Sequence, residues 1–391
     1  VAGLFQFRSF SQLRRARQNL QEIGAGAMRD ALAVDKLILL AVIGLVAMGV
    51  IMVLSTSYLY SQERYADGTF FFRKQLFAMG AGVAALIVCS LIPSHQYRRF
   101  AYPLLALTLV ALILVLIPGI SASRGGARRW IALAGFAFQP SELAKLAIVV
   151  YLAHSIAKKE PMIGSFAIGV LPHMIVTGLF AGVLLLEPDF GSALILTILL
   201  YSMLFIGGVR VHHLLGTGLL ALPLLIYVMT KAEYRMRRLM SFMDPWSDAS
   251  GSGFHVVQSL IAFGSGQFWG RGLGESRQKL FYLPEAHTDF VFSVIGEELG
   301  LLGALLVLAL FGVIILRGLR LTSRIEEPFD QYLAFGLTVL LGLQALIHMG
   351  VVMGLMPTKG LVLPFISYGG SAMLINLAEA GILLSLSRRR V

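Results

Sequence analysis

The chain has 391 residues, 57% of them hydrophobic and 14% charged, against roughly half and about a quarter in a soluble domain, so an ordinary water-soluble fold is excluded. The net charge of +11 does not mark a nucleic-acid binder, because the Lys and Arg residues gather in short connections between apolar runs, where they set membrane orientation. The single Cys89 leaves neither a disulfide framework nor a cysteine metal site.

In chain order, residues 1–35 are polar and basic, with Arg8, Arg14, Arg15, Arg17 and Arg29. They read as a cytoplasmic segment, interfacial or partly disordered, with no cleavable leader expected within them. A spanning helix needs about 20 mostly apolar residues. Ten stretches meet that need, near 36–57, 75–93, 100–120, 141–157, 166–186, 190–208, 212–230, 289–316, 331–354 and 362–387. The expected fold is an all-α membrane bundle of about ten transmembrane helices, with residues 36–387 as one domain and 388–391 as a basic cytoplasmic tail. Ten crossings put both termini on one side. The connections that hold Arg98–Arg99, Lys158–Lys159, Arg210 and Arg317, Arg320 and Arg324 are short and poor in acids. Together with the basic ends they are assigned to the cytoplasm. Segments 58–74, 121–140, 187–189, 231–288 and 355–361 then face outward.

The outward segments hold the groups that can do chemistry. Arg124, Arg128 and Arg129 run against the orientation rule. They are either tolerated outward charges or guanidinium forks for a phosphate. At the start of the fourth span, Glu142 and Lys145 are spaced i,i+3 and share a face, as an internal ion pair or as a functional one. In the turn Glu187-Pro188-Asp189, Asp189 either caps the next helix or joins a polar site. The long segment 231–288 is glycine-rich from Gly251 to Gly274, and its aromatics, Phe254, Phe263, Phe268 and Trp269 among them, argue that it packs on the outer surface of the bundle.

That segment ends in Leu283-Pro284-Glu285-Ala286-His287-Thr288-Asp289-Phe290. Asp289 is expected at the water–lipid boundary near a helix start. It is a helix cap or, partly desolvated, a general base for a hydroxyl. Glu285, His287 and Asp289 form a sparse donor set for a divalent cation, Mg or Mn. Within the spans, Glu297, Glu298, His348, Asn376 and Glu379 read as interhelical hydrogen-bonding groups. The segment from Met356 through Ser371 breaks helix at the outer end of the last span, where irregular backbone is tolerated only if buried or lining a cavity. Lys359 is placed there to meet an anion.

Five stretches, taken together, resemble the SEDS family (shape, elongation, division and sporulation). They are Gly126-Ala127-Arg128-Arg129-Trp130-Ile131, Gln139-Pro140-Ser141-Glu142-Leu143-Ala144-Lys145, Glu187-Pro188-Asp189-Phe190-Gly191, the Pro-Glu-Ala-His-Thr-Asp-Phe run ending at Phe290, and Pro357 through Ser371. The resemblance covers nearly all of the chain beyond the basic N-terminus. Ala286, the run Gly272 to Lys279 and Gly296-Glu297-Glu298-Leu299-Gly300 are most like the division branch. Ala137 stands where many relatives carry Arg, and His255 where the division branch often carries Gln.

The resemblance implies a peptidoglycan glycosyltransferase that polymerises lipid II into glycan strands on the outer face of the inner membrane, at the septum. It implies Asp289 as catalytic acid/base, with Trp130, Glu142, Lys145 and Asp189 critical. Arg128, Arg129, Lys359, Glu285, His287 and Ser367 complete the expected substrate site. The implied partners are a class B penicillin-binding protein and other divisome membrane proteins; a divalent cation would share the charge on the leaving group. Two other readings fit the boundary charges: a lipid II flippase, and a division scaffold in which those charges are incidental.

Overall fold

The computed structural model describes residues 34–119, 121–124, 127–133, 136–251, 253–279, 286–358 and 360–388. Among the described residues there are thirteen α-helices and one small sheet. The helices are α1 Lys36–Tyr65, α2 Phe70–Leu91, α3 Ser94–Leu116, α4 Pro140–Lys159, α5 Leu171–Leu186, α6 Phe190–Ile206 and α7 Val211–Thr230, then α8 Glu233–Met243, α9 Phe254–Gly266, α10 Val291–Glu298, α11 Gly300–Thr322, α12 Pro328–Val352 and α13 Gly370–Arg388. The sheet is β1 Ser121–Arg124, β2 Ala127–Leu133 and β3 Phe136–Phe138, antiparallel in the order β1-β2-β3.

Eight helices are long and apolar enough to cross a membrane: α1, α2, α3, α5 with its preceding π-helical turn, α7, α11, α12 and α13. The two other expected spans are present as α4, which is less apolar, and α6, which has 17 residues. Burial sorts them by position. In α12 and α13, 78% and 83% of the most apolar window is enclosed by protein, against 12% in α7. So α12 and α13 form the centre of the bundle, and α7 lies at its edge. One continuous core joins Leu45 and Met52 of α1, Ile148 and Leu152 of α4, Leu196 and Leu199 of α6, and Leu337 and Leu341 of α12.

The ends of several elements differ from the expectation. The outward segment 58–74 is mostly helical, because α1 runs to Tyr65 and α2 starts at Phe70. The segment 121–140 holds the sheet, whose alternating short strands escape a reading keyed to spans. The single span expected at 289–316 is two helices, α10 and α11, parted at Gly300. Gly300 has φ +65, and a Cβ there would stand 2.4 Å from the Gly270 nitrogen. The long loop enters this break: Leu301 N–H donates to Gln267 O at 2.9 Å, and Arg271 N–H to Glu297 O at 3.0 Å. Two backbones meet where only glycine leaves room.

Glu297 and Glu298 also serve that loop. The Glu297 carboxylate accepts from Arg277 N–H at 3.1 Å, Gln278 N–H at 3.3 Å and Ser276 Oγ. Glu298 accepts from Ser55 Oγ at 2.6 Å and pairs with Lys279 Nζ at 3.1 Å. Only the Ser55 bond is the interhelical kind expected of them; the other bonds hold segment 276–279.

Candidate active site

The site is built on a strap, residues 286–290, laid against the irregular segment 361–369. Tyr368 N–H donates to His287 O at 2.9 Å, and Ser367 Oγ donates to Thr288 O at 2.7 Å. Ser367 Oγ in turn accepts from Leu363 N–H at 2.9 Å. From α2, Gln75 Nε2 donates to Ser367 O, and Gln75 Oε1 accepts from Gly369 N–H, both at 3.3 Å. His348 Nδ1 donates to Leu361 O at 2.6 Å. These bonds satisfy non-helical backbone at the membrane boundary and fix the residues that precede Asp289. Behind the strap, the His255 ring of α9 stacks on Phe290 with centroids 5.7 Å apart, so the long loop packs on this end of the bundle.

Asp289 is half-buried, one residue before the Phe290 cap of α10. Its Oδ2 lies 3.1 Å from the place a Cβ on Gly360 would occupy. On the next residue, Leu361 Cδ2 lies 3.0 Å from the corresponding place on Gly191. Asp289 and the N-terminus of α6 therefore flank one short piece of chain. At that N-terminus Asp189 is the N-cap: its Oδ1 accepts from Ser192 N–H at 3.1 Å and its Oδ2 from Ser192 Oγ at 2.8 Å.

Arg129 of β2 comes down on the same turn. Its Nε donates to Glu187 O at 3.2 Å, and its Nη2 to Pro188 O. Both carboxylate oxygens of Glu187 are buried and lack a hydrogen-bond partner. Burial, and then the charge of Asp189, push the Glu187 carboxyl up to about 8 against the pull of Arg129. A second cation enters from α8: the Arg235 guanidinium stands 5.8 Å from the Phe190 ring centroid, and its Nη1 donates to Val228 O at 2.8 Å. The sheet is tied in at its far end, where Ser371 Oγ donates to Ala137 O at 3.1 Å and accepts from Gln139 N–H at 2.9 Å.

A chain of contacts thus links Arg129, Asp189, Asp289 and Ser367 at one end of the bundle. Trp130 is partly exposed on β2, opposite Ala122. The backbone of Arg128 pairs with Ser123. His287 is buried among the rings of Tyr60, Phe71 and Tyr368. Glu285 and Lys359 lie outside the described residues.

Glu142 and Lys145 pair with each other in α4. Lys145 Nζ is 2.8 Å from Glu142 Oε2 and donates to Gln344 Oε1 at 2.9 Å, with side-chain exposures of 1% and 5% for the pair. Of the two readings open for them, the geometry is that of an internal ion pair within α4, from which Lys145 also reaches Gln344 of α12. Gln75, Ser371 and Arg235 were not singled out from the sequence as site residues. For Gln75 a signal existed, as an amide set in the apolar run that follows Lys74.

For a divalent cation, the described residues contain no cluster of three or more His, Cys, Asp or Glu side chains able to hold one. His287 is enclosed by rings.

The fold and site together define a polytopic α-helical membrane protein with a polar site at one end of the bundle, built from interhelical segments. Residues 35–391 match the FtsW/RodA/SpoVE family, described as a cell cycle protein, and the chain belongs to that family. It is 45% identical over 355 residues to the probable peptidoglycan glycosyltransferase FtsW of Geobacter metallireducens, covering 91% of this chain and 95% of that protein. Among solved structures, one reported for the structural coordination of polymerization and crosslinking by a peptidoglycan synthase complex aligns at a TM-score of 0.74 and 32% identity. It covers 92% of this chain and 99% of the other. The rod shape determining protein RodA of Thermus thermophilus aligns at 0.68 and 30% identity, covering 92% and 98%.

Proposed function

We propose that the chain is a peptidoglycan glycosyltransferase that polymerises lipid II on the outer face of the cytoplasmic membrane during septal wall synthesis. Family membership and the curated relatives, named as peptidoglycan glycosyltransferases, supply the activity. The observation that carries the site is the strap, which holds half-buried Asp289 beside Gly360 and the α6 N-terminus.

In this reading the acceptor sugar hydroxyl gives its proton to Asp289. Its oxygen then forms a bond to the anomeric carbon of the donor. The bond from that carbon to the pyrophosphate breaks on the opposite face, and the electron pair leaves with undecaprenyl pyrophosphate, inverting the centre. Charge grows on the leaving group, where Arg128, Arg129 and Lys359 stabilise it. Asp189 and its Ser192 bonds fix the turn that Arg129 grips. Glu142 and Lys145 act at one remove, by holding α4 against α12. The expected partner is a class B penicillin-binding protein, in keeping with the synthase complex among the solved relatives. Both termini are assigned to the cytoplasm by their basic residues.

The test is labelled lipid II given to the purified protein and its partner, with Asp289→Ala alongside. A positioned base is worth about 10²–10⁴-fold, so polymer from the parent and a loss of that size in the variant is the expected result. Polymerisation untouched by the substitution removes Asp289 from the mechanism. Absence of polymer from both, with lipid II crossing vesicles, turns the reading to a flippase.

A further inference from the structure

A line of aromatic rings runs from the α1–α2 turn to the strap. At the tip, Tyr65 and Phe70 stack with centroids 4.1 Å apart and 17° between planes. Phe71 meets Tyr65 edge-on at 5.6 Å. It then meets Tyr368 at 5.1 Å and His287 at 5.2 Å, and Tyr60 closes on His287 at 5.4 Å. His287 is two residues before Asp289. Tyr65 is 45% exposed, and Tyr60, Phe70, Phe71 and Tyr368 are partly exposed. Cations lie over two rings of the line: Lys74 Nζ stands over the Phe70 ring, 4.3 Å from its centroid, and the Arg64 guanidinium stands over the Tyr60 ring at 5.8 Å, with Nη1 donating to Tyr60 OH at 2.7 Å.

Aromatics at a membrane boundary are ordinarily an anchoring belt, spread around the bundle with each ring set in the headgroups. These rings differ in two ways. They touch one another in sequence, and the sequence leads to the catalytic strap. A row of partly exposed rings with hydroxyl groups and cations beside it is complementary to a saccharide chain. The C–H faces of sugar rings pack on the aromatic faces, while hydroxyls and carboxylates reach the polar edges.

We infer that Tyr65, Phe70 and Phe71, continued by Tyr60 and Tyr368, form a platform for a chain of amino sugars leading to Asp289. The inference rests on the glycosyltransferase reading. It adds where the sugar polymer lies: across the outer end of α1 and α2, with Lys74 and Arg64 beside it.

The full-length protein in nanodiscs is titrated with a soluble oligosaccharide of alternating N-acetylglucosamine and N-acetylmuramic acid, followed by saturation-transfer NMR. Removing two stacking faces in Tyr65→Ala/Phe70→Ala is expected to weaken binding about 10-fold and to shorten the strands made from lipid II. Tyr65→Leu/Phe70→Leu keeps apolar bulk for folding and loses the same affinity. Tyr65→Phe keeps the face and the affinity. Trp269→Ala, which removes an outer aromatic that is 82% exposed, leaves binding at the parent value. Equal binding by the parent and both double variants overturns the platform, as does an equal loss in Trp269→Ala, which would restore the belt. A parent that polymerises yet binds no oligosaccharide sinks the platform and spares the enzyme. A parent that makes no polymer sinks the enzyme, and the titration still judges the platform.

Discussion

Glu187 and Asp189 are two residues apart and have different partners. Asp189 takes two hydrogen bonds from Ser192 at the start of α6. Glu187 turns both oxygens into a space that offers none. With its carboxyl raised from 4.5 to about 8, Glu187 binds its proton more tightly folded than unfolded. Its contribution to stability is therefore full below about 4.5 and is lost as the pH rises through 8. Thermal unfolding in detergent between those limits should show the midpoint falling with rising pH. Glu187→Gln should flatten that slope, and an unchanged slope would show that another group carries it. Nothing in the local sequence distinguishes these two acids, since both suit a turn. The difference comes from packing, which buries the Glu187 carboxyl without a hydrogen-bond partner and turns Asp189 onto Ser192.

At the scale of elements, the break between α10 and α11 places the strap. Were residues 289–316 one helix, the strap would lead straight into the membrane. Instead α10 is a short piece at the outer end, and the loop backbone at 267–271 is woven into the gap. Gly300→Ala puts a side chain at φ +65 and against the Gly270 nitrogen. The left-handed conformation alone costs about 1–2 kcal/mol, so the variant should unfold at lower temperature and be cut sooner by protease within 267–272. A melting point and cleavage rate equal to the parent's would mean that the break does not depend on glycine. The span pattern was legible because each apolar run is long enough by itself. The break was hidden because residues 289–316 stay apolar throughout, and only the approach of a loop thirty residues earlier forces the turn. The sheet at 121–138 escaped for a related reason: seven residues in β2 and fewer in its neighbours carry little periodic signal.

At the scale of the whole molecule, α12 and α13 are enclosed by the other helices, and Lys145, paired with Glu142 within α4, ties that helix to the centre through Gln344. An ion pair in such surroundings is stable only as a pair. Lys145→Met strands the Glu142 carboxylate and should cost about 3–5 kcal/mol, while Lys145→Met/Glu142→Leu should recover most of that. Unfolding of both variants in the same detergent measures this. Equal destabilisation would show that Lys145 matters through Gln344 or another neighbour rather than through Glu142.

The sequence by itself determined that the chain is built of membrane-spanning apolar runs and which family it resembles. Those properties depend on local length, local charge and short motifs, so they can be read along one dimension. The tertiary structure alone decided which boundary groups share a site and which serve as bracing. Gln75 meets Ser367, Gly360 lies against Asp289, and Leu361 lies against Gly191. Each of those contacts joins residues dozens to hundreds of positions apart, and only the packing of whole helices brings them together.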